Sequence, residues 1–262
     1  MAARHATLLL LLSVACEQAP IEWQEPAEVP PPPAGWHLTV DPSGHTAFAA
    51  DSVHMPSPPA FLRLCPASLR TAERSSRSPS VMWSVWWSAR PDSSAVLYAA
   101  SSADSGRHWG GAAAIDTSDI SSRGCSRPAP SITMVGSDLY VAYSMIAPEG
   151  TGVFFAHTMA SVLHSPVAVI YGERLVSTAI AADSERVVVA YEQPNGKRDQ
   201  IDVALSSTQG HIFEEHVTAT RDVDVAVAPA VALADHALAV SWTARPFDAS
   251  AASHVVRVGR LK

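Results

Sequence analysis

Charge is scarce in this sequence: Asp, Glu, Lys and Arg make up 16% of its 262 residues, and the 18 Lys and Arg are scattered without a run. With a formal net charge of −7, the chain lacks the clustered basic surface that releases counterions from nucleic acid, so no nucleic-acid partner is expected. Long apolar runs are also missing. Leu8 to Leu12 is too short to span a bilayer, and no later segment qualifies. The 11 histidines form no His-x-His or His-Glu-x-x-His, and the three cysteines form no Cys-x-x-Cys. Metal binding therefore has no spacing cue. Neither a Gly-x-Ser-x-Gly elbow nor a phosphate-cradling glycine loop is present, and no cofactor is expected.

Hydrophobic residues, by contrast, make up 47% of the chain, enough for a large core, and they fall in short alternating segments that predict strands rather than helices. At the N-terminus, Arg4 and His5 precede the leucine run and Ser13-Val14-Ala15 offers small residues before a cut. Residues 1–15 read as an export signal, with Cys16 as the first mature residue. This arrangement resembles a bacterial lipoprotein signal, with Ser13 where Leu is usual, and implies a lipidated Cys16; the alternative is a plain secretory signal cut at the same bond. A location in the cell envelope, lipid-anchored or secreted, follows, with contact to membrane only through the anchor. Cys65 and Cys125 are then one even pair in a compartment that permits disulfides. They are either bridged, closing a loop of about sixty residues, or two separate buried thiols.

Residues 16–35 are Pro- and Glu-rich and end in Pro30-Pro31-Pro32-Pro33-Ala34-Gly35, a composition that predicts an extended spacer between Cys16 and the folded part. Folding is expected from Trp36, so that residues 36–262 form one domain. Within it the chain repeats. The entries Ala129-Pro130-Ser131, Ser177-Thr178-Ala179 and Ala228-Pro229-Ala230 are spaced by 48 and 51 residues, and an aromatic follows each central residue by thirteen, at Tyr143, Tyr191 and Trp242. Ser102, Thr158 and Ser206 each lie fifteen residues after Trp87, Tyr143 and Tyr191, which places Trp87 in the same aromatic column. In the first copy Ser78-Pro79-Ser80 falls too close to Trp87; either a turn is missing there or the inner strand lies upstream. Units of about fifty residues built from short strands predict a β-propeller.

After one strand of each unit stands a polar turn. Ser102-Ala103-Asp104-Ser105-Gly106-Arg107-His108-Trp109 is the full form; in Ser206-Ser207-Thr208-Gln209-Gly210-His211-Ile212-Phe213 Thr208 replaces the acid while Gly210 and Phe213 hold their places. At Thr158-Met159-Ala160 acid and glycine are gone. The pattern Ser102, Asp104, Gly106, Trp109, with Ser206, Gly210 and Phe213 as its worn copy, resembles the Asp box of sialidases and related propellers. That resemblance implies an all-β propeller, with the box between the two outer strands of a blade and remote from the catalytic face. About five blades are expected, or six as in full sialidases, with Trp36 to Val40 available to close the last copy.

The same resemblance implies an arginine cluster for a substrate carboxylate, which suits guanidinium's planar fork. Arg63-Leu64-Cys65-Pro66 departs from the family's first arginine motif by an inserted residue. The loops leading into the innermost strands carry Arg77, Arg127 and Arg174, with Asp224 in the last, and these are the candidate ligand-binding residues; the alternative is that each arginine pairs with a local carbonyl or carboxylate. Tyr171 near Glu173 and Tyr191 beside Glu192 have the composition of an activated nucleophile, but Tyr191 belongs to the aromatic column and adjacent strand residues face opposite sides. Trp83, Trp86 and Trp87 are read as core. The expected function is that of an extracytoplasmic module binding a glycan or a protein at the propeller mouth. Alternatives are a sialidase-type glycoside hydrolase with a divergent site and a structural role in an envelope assembly.

Overall fold

The structure is a computed structural model that describes residues 19–34, 36–50, 65, 70–73, 81–160, 162–195, 199–220, 225–245 and 251–262. These residues form strands and turns only, so no helix among them is long and apolar enough to cross a membrane. The export signal and Cys16 lie outside the described residues.

Four antiparallel meanders follow one another. The first contains β5 (Arg70–Glu73), β6 (Met82–Ala89), β7 (Ala95–Ser102) and β8 (Ala113–Asp116). The second contains β9 (Ser131–Val135), β10 (Asp138–Ala147) and β11 (Gly150–Met159), with β12 (Val162–Leu163) and β13 (Val167–Gly172) both paired to β11. The third runs β14 (Thr178–Ala182), β15 (Val187–Glu192), β16 (Ile201–Ser206) and β17 (Glu215–Thr218), and the fourth begins β18 (Val225–Ala234), β19 (Ala237–Arg245) and β20 (Ser253–Leu261). A two-stranded sheet, β3 (Trp36–Val40) and β4 (Thr46–Ala50), packs against β18 and β19. First strands of neighbouring sheets lie side by side, β5 with β9, β9 with β14, β14 with β18 and β18 with β3. That is the arrangement of propeller blades around an axis.

Strand alternation explains the packing. On β10, Tyr143 and Val141 point to a core shared with Trp87 and Leu97 of the first sheet, while Tyr140 and Ala142 point to a core shared with Val189 and Tyr191 of the third. On β15, Val188 and Ala190 face the fourth sheet, meeting Leu238 and Trp242. The second, third and fourth sheets are therefore apolar on both faces and sandwiched between their neighbours. Loss of any one face would expose a second core.

Three details go beyond the sequence reading, the first by deciding between the two alternatives it left open. The first copy's inner strand lies upstream, because β5 pairs with β6 through Arg70 opposite Val85 and Glu73 opposite Met82. The aromatic column contains Trp86, not Trp87: Met82 pairs with Ser102 as Val187 pairs with Ser206, and counting from those pairs places Trp86 level with Tyr191. One extra residue in the β6–β7 hairpin shifts the count, and a one-residue slip turns a side chain to the opposite face. Trp87 accordingly packs on the next sheet, its ring 5.8 Å from that of Tyr143.

The third difference is the spacer. Residues 21–29 pair with the last sheet: β1 (Ile21–Trp23) lies antiparallel to the end of β20, Ile21 opposite Leu261, and β2 (Ala27–Val29) lies opposite Val256 to His254. These two, rather than Trp36 to Val40, supply the fourth strand of that sheet, and Trp36 to Val40 pairs with β4 instead. Composition hid this because proline is tolerated on an edge strand, where an N–H faces solvent. Two apolar anchors decide it. Ile21 is buried, and the Arg257 guanidinium lies 5.1 Å over the Trp23 ring. Gly259 leaves the room, since a Cβ there would stand 2.5 Å from Ile21 Cγ2 and 2.8 Å from Trp23 Cε3.

Cys65 and Cys125 are bonded, with Cα atoms 5.2 Å apart and a separation of 60 residues. Closing a loop of that length in the unfolded chain is worth about 3–4 kcal/mol. Reduction is expected to lower the urea midpoint of the purified protein accordingly; an unchanged midpoint in dithiothreitol would exclude that contribution.

Candidate functional site

Strand direction separates two ends of the propeller. Loops leading into β9, β14 and β18 lie at the mouth together with the β6–β7, β10–β11 and β15–β16 turns. The opposite end carries the turns between first and second strands and the polar turns of residues 102–109 and 206–213. This follows from the antiparallel order alone.

At the opposite end the two polar turns are superposable bond for bond. In the first, Ser102 Oγ accepts from Gly106 N at 2.9 Å and Asp104 Oδ1 accepts from His108 N at 2.8 Å. In the second, Ser206 Oγ accepts from Gly210 N at 2.9 Å and Thr208 Oγ1 accepts from Ile212 N at 3.0 Å. A hydroxyl thus takes the acceptor role of the carboxylate. Both glycines have positive φ, 79° and 89°, as the turn requires. Trp109 packs with Trp86 and Tyr98, and the Phe213 ring meets Phe155 edge-on at 5.5 Å. The His108 amide, then the His108 ring and the Ser102 hydroxyl, hold the Asp104 carboxyl far below the usual range. These residues brace the outer strands and touch nothing at the mouth.

Arg127 stands in the loop before β9 and is enclosed, its side chain 0% exposed and that of its partner Asp119 1%. Its Nη1 donates to Asp119 Oδ1 at 2.8 Å, Nε to the Gly124 carbonyl at 2.6 Å and Nη2 to the Ser93 carbonyl at 3.3 Å. The guanidinium also lies 5.3 Å over the Trp87 ring. Asp119 Oδ2 accepts from Ala95 N at 2.9 Å. Arg127 thereby ties its loop to the β6–β7 turn, and its planar fork is filled by this chain's own acceptors.

Arg174, in the loop before β14, is different. It pairs with Asp199 and donates from Nη2 to the Gln193 carbonyl at 2.9 Å, yet its side chain stays 40% exposed, and its buried Nε has no hydrogen-bond partner. Residues 171–174 run beside residues 193–195: Asn195 Nδ2 donates to the Tyr171 carbonyl at 2.9 Å and Glu173 N to the Pro194 carbonyl at 3.3 Å. Gly172 allows this approach, because a Cβ there would meet Pro194 Cβ at 2.3 Å. Above it the Tyr171 ring is 48% exposed, held edge-on to Phe154 at 6.0 Å. Arg174, Asp199, Asn195 and Tyr171 make a polar ledge with one open aromatic face. Sequence reasoning named Arg174, named Tyr171 only as a partner of Glu173, and missed Asn195 and Asp199, whose only common signal is their place at the mouth end of strands.

Arg77 and Asp224 lie outside the described residues. In sequence Arg77 falls between β5 and β6, so it follows the innermost strand of its sheet rather than leading into it.

Tyr191 and Glu192 do not form an activated pair. The Tyr191 hydroxyl lies 2.9 Å from His216 Nδ1, and burial raises its pKa. Glu192 turns away, as alternation requires, and accepts from Ser177 N at 3.3 Å and Ala228 N at 2.9 Å, joining the starts of β14 and β18. Where the acidity of a described carboxylate is displaced it moves down: Asp41 to about 2 through Ser43 and His45, Asp92 through Ser94, and Asp104 as above. A glycosidase acid requires the reverse. Among the described residues no cluster of His, Cys, Asp and Glu could hold a metal ion.

One group of titratable side chains was invisible in sequence. His157 on β11 is buried, stacks on His164 at 4.9 Å and meets His211 edge-on at 5.1 Å, with its Nε2 unpartnered. Burial, then the two neighbouring imidazoles, lower its pKa to about 4. The folded state thus resists a proton that the unfolded chain accepts near pH 6.5, so stability falls as pH drops from about 6.5 to about 4 and is level outside that window. The expected loss is of the order of 2–3 kcal/mol. Denaturant midpoints of the wild type and His157→Phe across this range check it; equal slopes would exclude His157 as the source.

The described sheets define an all-β propeller built of antiparallel meanders, with an enclosed arginine in the loop before β9 and a partly exposed one in the loop before β14. No protein-family model matches the chain, and no curated protein matches it in sequence. Similar solved structures include an α-L-arabinofuranosidase from Podospora anserina in complex with cellotriose, 14% identical over 82% of this chain and 67% of that one, at a TM-score of 0.44. An exo-1,5-α-L-arabinanase from a bovine ruminal metagenomic library is 11% identical over 83% of this chain and 88% of its own, at 0.45. The phage phi92 endosialidase is 11% identical over 70% of this chain and 34% of its own, also at 0.45. The succession of sheets, and not these distant likenesses, defines the fold.

Proposed function

We propose that this chain is an extracytoplasmic Asp-box propeller, anchored through a lipidated Cys16, whose mouth binds a glycan without hydrolysing it. The observation that carries this reading is the division of labour between the two described mouth arginines. Arg127 is filled by Asp119 and two carbonyls, whereas Arg174 remains 40% exposed, three residues along the chain from Tyr171, which is itself exposed. An aromatic face flanked by Arg, Asn and Asp side chains suits a sugar, whose C–H surface stacks while its hydroxyls or carboxylate take the polar groups. Absence of catalysis is supported by the buried hydroxyl of Tyr191 and by the amides that occupy Glu192.

Printed glycans, acidic and neutral, read with the wild type and Arg174→Ala test this directly. The expected result is retained binding to a subset of glycans by the wild type, a loss of tenfold or more in Arg174→Ala, about 1.4 kcal/mol, and no release of product from aryl glycosides. Turnover of any of them above the buffer rate would replace this reading with that of a hydrolase, and binding untouched by the substitution would remove the ledge.

A further inference from the structure

The pairing of β1 with β20 places Ile21 at the end of the propeller away from the mouth. Four residues separate Cys16 from Ile21, five Cα–Cα steps, and an extended chain spans at most about 3.6 Å per residue, so an anchored Cys16 lies within roughly 18 Å of Ile21. Ile21 pairs with Leu261 at the end of β20 that is away from the mouth. Hydrogen bonds connect that point across the same end. Lys262 N donates to the Pro20 carbonyl and Leu261 N to the carbonyl of His236, in the β18–β19 turn. Arg186, in the β14–β15 turn, donates to the Asp235 carbonyl at 2.7 Å, and Gln209 of the polar turn donates to the Ser184 carbonyl at 3.0 Å. His211, next in that turn, packs on His157 and His164.

Beside those rings stand three exposed apolar side chains, Val162 at 62%, Ile212 at 62% and Leu163. Val162 and Leu163 form β12 of the second sheet, and Ile212 belongs to the polar turn after β16 of the third.

We propose that this end of the propeller docks on the lipid bilayer through Val162, Leu163 and Ile212, with the mouth held outward. The inference rests on reading Cys16 as the anchor. A short tether and an apolar patch at one end act together: the tether raises the local concentration of that end at the surface, and shallow insertion of three aliphatic side chains fixes its orientation. The nine residues of β20 separate this end from the mouth, which stands about 30 Å further out at about 3.3 Å per residue. A glycan ledge at that height is open to ligands in the surrounding medium.

With Cys65 and Cys125 bonded, Cys16 is the single free thiol of the mature chain. It can be coupled to maleimide-bearing lipid in phosphatidylethanolamine–phosphatidylglycerol vesicles, and amide hydrogen exchange compared with the uncoupled chain. The expected result is exchange slowed about fivefold or more at residues 162–164 and 208–213, no change at 147–150 and 193–195, and loss of that protection in Ile212→Asp. Slowing at the mouth segments, or at neither set, would overturn the proposal. The anchor itself is read separately, from the mass of Cys16 in protein matured by a bacterial host: an unacylated Cys16 refutes the anchor whatever the coupled protein shows.

Discussion

Replacing Arg127 with alanine is expected to destabilise the protein by about 3–5 kcal/mol, because it leaves Asp119 charged, buried and without its cation. Asp119 is 1% exposed, and the donors it keeps, Ala95 N at 2.9 Å and the Ser121 hydroxyl at 3.4 Å, are both neutral. The same substitution leaves the Gly124 carbonyl without the Arg127 Nε donor, takes one of two donors from the Ser93 carbonyl, which keeps Gly124 N at 2.7 Å, and removes the cation over Trp87. Asp119→Ala should cost a similar amount, and the double variant far less than the sum, since both changes break one pair. Urea unfolding of the three variants measures this. A loss near 0.5 kcal/mol for Arg127→Ala would mean that the pair behaves as a surface ion pair, in conflict with its enclosure.

Gly210→Ala carries the second large effect. A Cβ at this position would stand 2.1 Å from Cε1 and 2.4 Å from Cζ of Phe155, a ring in the core between the second and third sheets, and the backbone φ is 89°. Neither partner can give. Phe155 is fully buried against Phe213, and alanine disfavours the left-handed region, so strain and overpacking add to about 3 kcal/mol or more. The neighbouring change Thr208→Asp, which restores a carboxylate acceptor for Ile212 N, should instead be neutral or slightly stabilising. Thermal unfolding of both variants separates the two terms. If Gly210→Ala unfolded with the wild type, the turn would have to differ from the one described.

How much of this was legible in the sequence can be judged at particular residues. The spacing of Tyr143, Tyr191 and Trp242 marked equivalent strands because each occupies the same register in its sheet, and a repeating fold repeats its register. Trp87 was misplaced by one position because the β6–β7 hairpin is one residue longer than counting allowed, and alternation makes a single residue decisive. Ile21 and Trp23 were lost among prolines. Their strand exists because Gly259 on the partner strand leaves space for both side chains, a condition that local composition does not carry. Arg127 and Arg174 looked alike, since both lead into an innermost strand. What separates them is Asp119, eight residues from one, and Asp199, twenty-five from the other, at burials that only the assembled sheets determine. The histidine group is of the same kind, drawn from β11, the segment after β12 and the turn after β16.

The central claim is that the mouth has one arginine for stability and one for ligand, and it is tested most directly by measuring unfolding and glycan binding side by side in Arg127→Ala and Arg174→Ala. The account predicts a large fall in the urea midpoint for Arg127→Ala, and for Arg174→Ala a midpoint close to wild type with glycan binding reduced tenfold or more. An Arg127→Ala protein as stable as wild type but unable to bind, or an Arg174→Ala protein that unfolds early while binding normally, would contradict it.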